Sequence, residues 1–523
     1  MNMRLIRRLL RFGPPSLEVR RASVGRAALL PVLLIFLCAG SVFAAPPAQE
    51  GAPPDAEPAV YIIEEVFFQL EGRTQPRILE KKLEIKKGAR FNSREELEAY
   101  LLDRELVLHS QRVLETGSVT CTVEDTGGSR RVQVFVVAAD TWNMLGLPHL
   151  KFDSNKGTFL GIRLRDNNFF GSMEPLKLDI DYILGSGENS NGFEQELQFL
   201  LPFRLFRHDW RLRALEKAEY TTESNGWKLK SEAGLAVDFP YNEQIWTLEY
   251  VQGFYYKDDD FYADHYYNSS KLLFGSDFTL PAELGRLGSL KYRPDVFTRV
   301  KYRPDKDLSE DRRGTEPGFS HRIFASRIDW KKNFREGADL SVTNEFAWNL
   351  REHEWRNGVQ WEAVGHKALS FMGVSGRLSG FYQFFKERGP EDDDEVGQPI
   401  RGILDDRLRG DAAIFLNLDL PVKMWVWFLD PYLEVHAGPF FDAALVKRRG
   451  EAFKLSEMYY SAGLEVVCFP VFLSRSIYLR ASLGLDLEAF SGDRKLTGFA
   501  PRKDADGKEW KRLEAFIGFG HHY

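Results

Sequence analysis

The chain has 523 residues and a formal net charge of −6, with 28% charged and 13% aromatic residues. That balance argues against nucleic acid as a partner, and the short apolar runs exclude a bundle of membrane-spanning helices. It leaves open both a soluble all-β protein and a membrane barrel, whose strands alternate apolar and polar residues and average to neutral.

Residues 1–44 carry seven arginines against a single acid, Glu18. An apolar run from Ala27 to Ala39 follows, broken only by Pro31, and Ser41-Val42-Phe43-Ala44 offers a cut after Ala44. Basic, apolar and cleavable in that order is the layout of a secretory signal peptide, with an uncleaved anchor as the alternative. Cys38 follows Leu37, which is too bulky for a lipoprotein signal. Removal of 1–44 leaves 63 basic and 75 acidic residues, near −12. The two remaining cysteines, Cys121 and Cys468, lie in different predicted regions, and neither has a Cys or His at metal-ligand spacing, so no disulfide framework, metal site or cofactor is expected.

Residues 45–58, rich in Ala, Pro and acids, read as a linker. Residues 59–142 read as one α+β unit. Val60 to Leu70 predicts a strand and Thr74 to Leu83 a helix. Ser93 with Glu96 forms a capping box for a second helix, with Leu97, Tyr100, Leu101 and Leu108 on its apolar face. Val119–Val123 and Val132–Val137 predict two further strands.

From residue 147 to Tyr523 the period becomes two. Leu160, Ile162 and Leu164 oppose Arg163 and Arg165. Leu176, Leu178, Ile180, Tyr182 and Leu184 oppose Lys177, Asp179 and Asp181, and Leu479, Leu483 and Leu485 oppose Arg480 and Asp486. Charges on one face would cost several kcal/mol each in a dry core. A water-filled barrel of about 16 antiparallel strands places them in the lumen and the leucines in lipid; a half-exposed sandwich is the alternative. A short turn is predicted at Arg335-Glu336-Gly337, and long polar loops at 257–262, 304–318, 389–398 and 491–508. Trp246, Tyr250, Tyr255, Tyr256, Trp330, Trp425 and Trp427 are candidates for interfacial girdles. The closing strand, Leu513 to Tyr523, carries Phe519 and the terminal Tyr523.

No catalytic residue stands out: Gly373-Val374-Ser375-Gly376 lacks nucleophile-elbow spacing, and no H-E-x-x-H is present. The acidic run 391–395 reads as a solvated loop. A different segment is informative. Pro399-Ile400-Arg401-Gly402-Ile403 precedes the strand Ile414 to Pro421, and Phe440-Phe441-Asp442-Ala443-Ala444 lies on the strand after next. These resemble the V/I-R-G-F/Y and F-x-D-x-G motifs of the outer-membrane assembly superfamily that includes BamA and TamA, and more distantly the two-partner secretion transporters. Ile403 replaces the usual aromatic and Ala444 the usual glycine. Asp166-Asn167-Asn168-Phe169-Phe170-Gly171 is similar to the family's D-x-N-F-x-G turn at the end of the first strand, placed at about Thr158 to Asp166. Ser461-Ala462-Gly463-Leu464-Glu465 is similar to its S-x-G-x-E. The 59–142 unit resembles a POTRA domain, with Leu70-Glu71-Gly72 and Gly88-Ala89-Arg90-Phe91 at the family's turn positions.

The resemblance implies a bacterial outer-membrane barrel with its POTRA-like domain in the periplasm, and an ion pair between Arg401 and Asp442 inside the lumen. It implies no enzyme. The implied partners are outer-membrane lipid, unfolded outer-membrane proteins or secreted polypeptides as clients, and periplasmic proteins or lipoproteins. One POTRA-like domain is fewer than the best-known assembly barrels carry. A two-partner-secretion-like transporter and a passive outer-membrane channel remain as alternatives.

Overall fold

The computed structural model describes residues 60–519 except 112, 126–129, 154–156, 186–190, 223–225, 243, 258–263, 310–311, 385–395, 404–407, 427–431, 449, 471–477 and 488–512. The signal-like segment, the linker, the acidic run, Trp427 and Tyr523 lie outside the described residues.

The N-terminal part is a small α+β domain. Strand β1 (Tyr61–Glu71) leads to helix α1 (Pro76–Leu83), the two-residue strand β2 (Arg90–Phe91), helix α2 (Arg94–Ser110), and strands β3 (Leu114–Asp125) and β4 (Arg130–Asp140). The sheet order is β2-β1-β4-β3, with β1 parallel to β4. Proline at the first helical position starts α1 two residues later than the pattern predicts, because its ring fixes φ there and it has no N–H to lose. Ser93 Oγ accepts from the Glu96 amide at 3.1 Å, which caps α2. Ile63, Leu79, Leu83, Leu97, Leu108, Val132, Val134 and Val136 form the domain core, all nearly sealed from solvent.

Twenty further β segments close a barrel: β5 (Met144–Asp153), β6 (Gly157–Asp166), β7 (Leu176–Leu184), β8 (Gly192–Leu205), β9 (His208–Thr221), β10 (Gly226–Tyr241), β11 (Gln244–Tyr256), β12 (Tyr266–Ser276), β13 (Phe278–Glu283), β14 (Ser289–Tyr302), β15 (Gly314–Lys331), β16 (Phe334–Asn349), β17 (Glu354–Ala368), β18 (Gly373–Gln383), β19 (Ala412–Asp419), β20 (Val422–Met424), β21 (Leu433–Lys447), β22 (Tyr459–Pro470), β23 (Leu479–Asp486) and β24 (Leu513–Phe519). Both β12 and β13 pair with β14, and both β19 and β20 with β21, so each of these couples forms one wall strand. The wall thus has 18 antiparallel strands among the described residues, not about 16. The barrel starts at Met144, not 147, and the segment expected as the first strand is β6, the second. Gly146 and Pro148 obscure β5 in the sequence, since neither residue favours a strand interior.

The alternation sorts as physics requires. Leu160, Ile162, Leu164, Ile180, Tyr182, Leu464, Leu479 and Leu483 are exposed on the outer wall. Arg165 donates to Asp179 at 2.7 Å, and Arg480 and Asp486 are buried on the other face. A closed ring with charges inside and leucines outside excludes the two-sheet sandwich and is the arrangement of a barrel in lipid. Several local expectations change. The turn between β15 and β16 is Lys332-Asn333, both at positive φ, as a two-residue hairpin turn requires; Arg335-Glu336-Gly337 lies inside β16. The polar loop after Pro304 ends before Gly314, where β15 begins. Tyr255 donates to Glu232 at 2.6 Å, and Trp330 lines an internal pocket with Asp419 and Glu465. These two aromatics face the interior and are not girdle residues, whereas Tyr250 and Trp425 are exposed.

Candidate functional site

The connection between β18 and β19 turns back into the barrel. Its tip begins with a turn in which the Ile400 amide donates to Gly397 O at 2.9 Å. Asn417 on β19 donates to Pro399 O at 2.7 Å. Ile400, Ile403 and Leu408 are buried with Val396, Ala413, Phe415 and Ala444 in a compact apolar cluster. Ile403 therefore fills apolar space in place of an aromatic ring, and Ala444 supplies part of the surface it meets.

Between those apolar anchors sits Arg401, only 5% exposed. Its Nε and backbone N–H each donate to Asp442 Oδ2 at 2.9 Å, and Nη2 donates to Asp442 Oδ1 at 2.8 Å. Nη1 donates to Asp419 at 2.7 Å and to Glu465 at 3.1 Å. The guanidinium also lies 3.9 Å over the Phe440 ring. Burial disfavours the charge, but the hydrogen bonds to Asp442 and the fields of Asp419, Asp442 and Glu465 prevail and raise the Arg401 pKa. A second cation, Arg480, sits 3.6 Å from Glu465 and 4.2 Å over the Phe516 ring.

Gly402 is required by its backbone. Its φ is +90°, and a Cβ there would lie 2.9 Å from Leu485 N and 3.0 Å from Gly484 C, so the tip rests directly on the inner wall. The Gly402 amide donates to Glu514 on β24. Gly463 plays the complementary part on the wall, where a Cβ would meet the Phe440 ring at 2.6 Å. The tip of this loop thus touches β19, β21, β22, β23 and the closing strand β24.

Asp166, Asn168, Phe169 and Gly171 do not join this cluster. They form the turn between β6 and β7 and pack against the α+β domain, where Asn168 Nδ2 donates to Thr74 Oγ1 at 2.8 Å. Phe169 packs on Phe199, with ring centroids 5.7 Å apart. Phe519 pairs with Leu479 in the β23–β24 ladder; Tyr523 lies outside the described residues.

No protein-family model matches the sequence and no curated protein matches it. Among solved structures, CdiB from Acinetobacter baumannii matches with 13% identity over 88% of this chain and 74% of that one, at a TM-score of 0.46. BamA from Haemophilus ducreyi lacking POTRA domains 1–3 matches with 12% identity over 88% and 85%, at 0.40. CdiB from Escherichia coli matches with 11% identity over 94% and 97%, at 0.39. The chain is similar to BamA and CdiB barrels.

Sequence reasoning missed Asp419, Asn417, Arg480 and Glu514 as members of the cluster. Asn417, Asp419 and Arg480 occupy inward positions on strands next to those of Asp442 or Glu465, and Glu514 an inward position one strand further on, paired with Gly484. Inward polar and charged residues on nearby strands were the available signal, but the strand register that brings them together is not readable from one strand at a time.

Proposed function

We propose that the chain is an outer-membrane barrel of the BamA/TamA kind, with its α+β domain acting as a POTRA domain in the periplasm. On this reading it inserts unfolded outer-membrane proteins or translocates a polypeptide, and it catalyses no covalent chemistry. The observation that carries the proposal is the loop tip: Arg401 is sealed against Asp442, Asp419 and Glu465, while Gly402 reaches Glu514 on the closing strand. A simple diffusion channel has no need of a loop anchored to its own closing strand. Where β24 meets β5, the registered pairs among the described residues are Phe516–Asp153 and Ile517–Phe152. A strand edge that opens in lipid is costly and accepts an incoming strand, and this seam is where the proposal places that event. Depletion of the protein followed by quantitative outer-membrane proteomics tests the proposal. A broad fall in barrel proteins supports insertion, loss of a single exported protein supports translocation, and an unchanged proteome refutes both.

A further inference from the structure

The turn between β6 and β7 is built more elaborately than a barrel hairpin needs. Asn168 is fully buried and uses both ends of its amide. Nδ2 donates to Thr74 Oγ1 at 2.8 Å and to Asp140 Oδ2 at 3.0 Å, and Oδ1 accepts from the Met173 amide at 2.9 Å. Asp140, the last residue of β4, also accepts from the backbone amides of Arg73 at 2.7 Å and Thr74 at 3.0 Å. Arg73 in turn donates to both oxygens of Asp166, at 3.2 and 3.3 Å. The Gln75 amide donates to Gly171 O at 2.9 Å, and a Cβ on Gly171, whose φ is +72°, would lie 1.9 Å from Arg73 O. Domain and barrel rim therefore share one buried polar network, with backbone approaches that only glycine permits. Such a network specifies one geometry, because any displacement strands several polar groups together.

The covalent path reinforces it. Only Thr141-Trp142-Asn143 separates β4 from β5. Thr141 N and Asn143 Nδ2 both donate to Val113 O at 3.1 Å, and Asn167 N donates to Asn143 O at 3.0 Å. The connector has no slack, and β5 is one side of the seam.

We infer that the Asn168 turn is a positioning clasp that fixes the angle of the α+β domain to the barrel and, through the short connector, sets the register of β5 against β24. Asn168, Asp140 and the Arg73–Asp166 pair are its positioning residues. A load on the domain is then delivered to β5, the partner of β24 across the seam, instead of being spread around the ring. The use of that coupling rests on the proposed function; the coupling itself does not.

The experiment uses the full chain in lipid vesicles, with its native cysteines replaced by alanine. Spin labels at Glu98→Cys on α2 and His353→Cys in the turn between β16 and β17 report the domain angle. In a second preparation, Phe152→Cys and Ile517→Cys, neighbours across the seam, report its register through their rate of disulfide formation. With Asn168 intact, one narrow distance and fast crosslinking are expected. Asn168→Ala should broaden the distance and slow crosslinking about tenfold, the change that loss of a buried hydrogen-bonded group produces. Arg73→Ala, a change at a half-exposed side chain that the fold tolerates, should shift both readouts in the same direction by less. Heat-shifted mobility on gels confirms that each barrel is folded. A broadened distance with an unchanged crosslinking rate overturns the coupling, and a narrow distance in both variants overturns the clasp. Neither readout involves a client, so a chain that inserts nothing yet shows the coupling counts against the proposed function alone.

Discussion

Arg401→Ala should release the lumenal loop and destabilise the barrel wall beneath it. The substitution deletes four side-chain hydrogen bonds, two to Asp442 and one each to Asp419 and Glu465. What remains matters more than what is lost. Asp442 is completely buried, and Asp419 and Glu465 are 16% and 14% exposed, so three carboxylates face one another without their shared cation. Removing one partner from a buried ion pair costs about 3–5 kcal/mol, mostly the penalty of the stranded charge. Arg401→Lys keeps a cation but not the fork that serves Asp442 and Nη1's two acids at once, so a smaller loss of about 1–3 kcal/mol is expected. Adding Asp442→Asn to Arg401→Ala removes the most deeply buried stranded charge and should recover part of the loss. The assay is the urea midpoint of the detergent-solubilised barrel followed by circular dichroism, paired with limited proteolysis of the 385–411 connection. A midpoint equal to that of the unmodified chain, with the loop still protected, would refute the claim that this ion pair holds the loop.

Gly402→Ala should expose the same loop to protease while leaving Arg401 and its three carboxylates in place, because a side chain at φ +90° is strained by about 1–3 kcal/mol and would press on Leu485 and Gly484. Ile162→Arg, at an outer-wall position 56% exposed, should impair insertion into vesicles by about 2–4 kcal/mol if it lies near the bilayer midplane, whereas Arg163→Gln, one residue along and facing inward, should insert normally. Ser93→Ala should raise amide exchange over the first turn of α2, with a cost of about 1 kcal/mol confined to the α+β domain. Unchanged exchange there would mean that the cap contributes nothing.

The barrel was legible because lipid and water impose opposite demands on successive residues, and Leu160 to Arg165 displays both demands within six positions. The capped helix α2 was legible because Ser93 and Glu96 satisfy backbone donors locally. Strand number was not, since β5 contains Gly146 and Pro148 and takes its identity from pairing with β6, a non-local fact. Side-chain direction at strand ends was equally hidden. Tyr255 and Trp330 have the residue type of girdle aromatics, yet their parity relative to outward Phe254 and Ile323 turns them inside. In the site, Arg401 and Asp442 stood out as a motif, while Asp419 and Glu514 required the register of β19 against β21 and of β23 against β24.

The two buried polar networks lie at opposite ends of the barrel but attach to the two strands of the seam. The loop tip donates to Glu514 on β24, and the Asn168 clasp holds the connector into β5. Buried ionic networks add little net stability, because desolvation cancels most of their attraction; what they supply is a single geometry. Their placement is therefore better explained by a need to control where β24 and β5 sit than by a need to strengthen the wall, which strands such as β15 and β16 achieve with long unbroken ladders from Gly318–Ala347 to Lys331–Phe334. Across the seam itself, Lys151 on β5 reaches 5.5 Å over the Phe516 ring of β24 while pairing with Asp153 at 3.2 Å. A cation over a ring can be exchanged for water at little cost, unlike the ladder it accompanies. On the proposed function, accepting an incoming strand at the β24–β5 seam would require such positional control on each side of it, and a wall built only for permanence has no use for it.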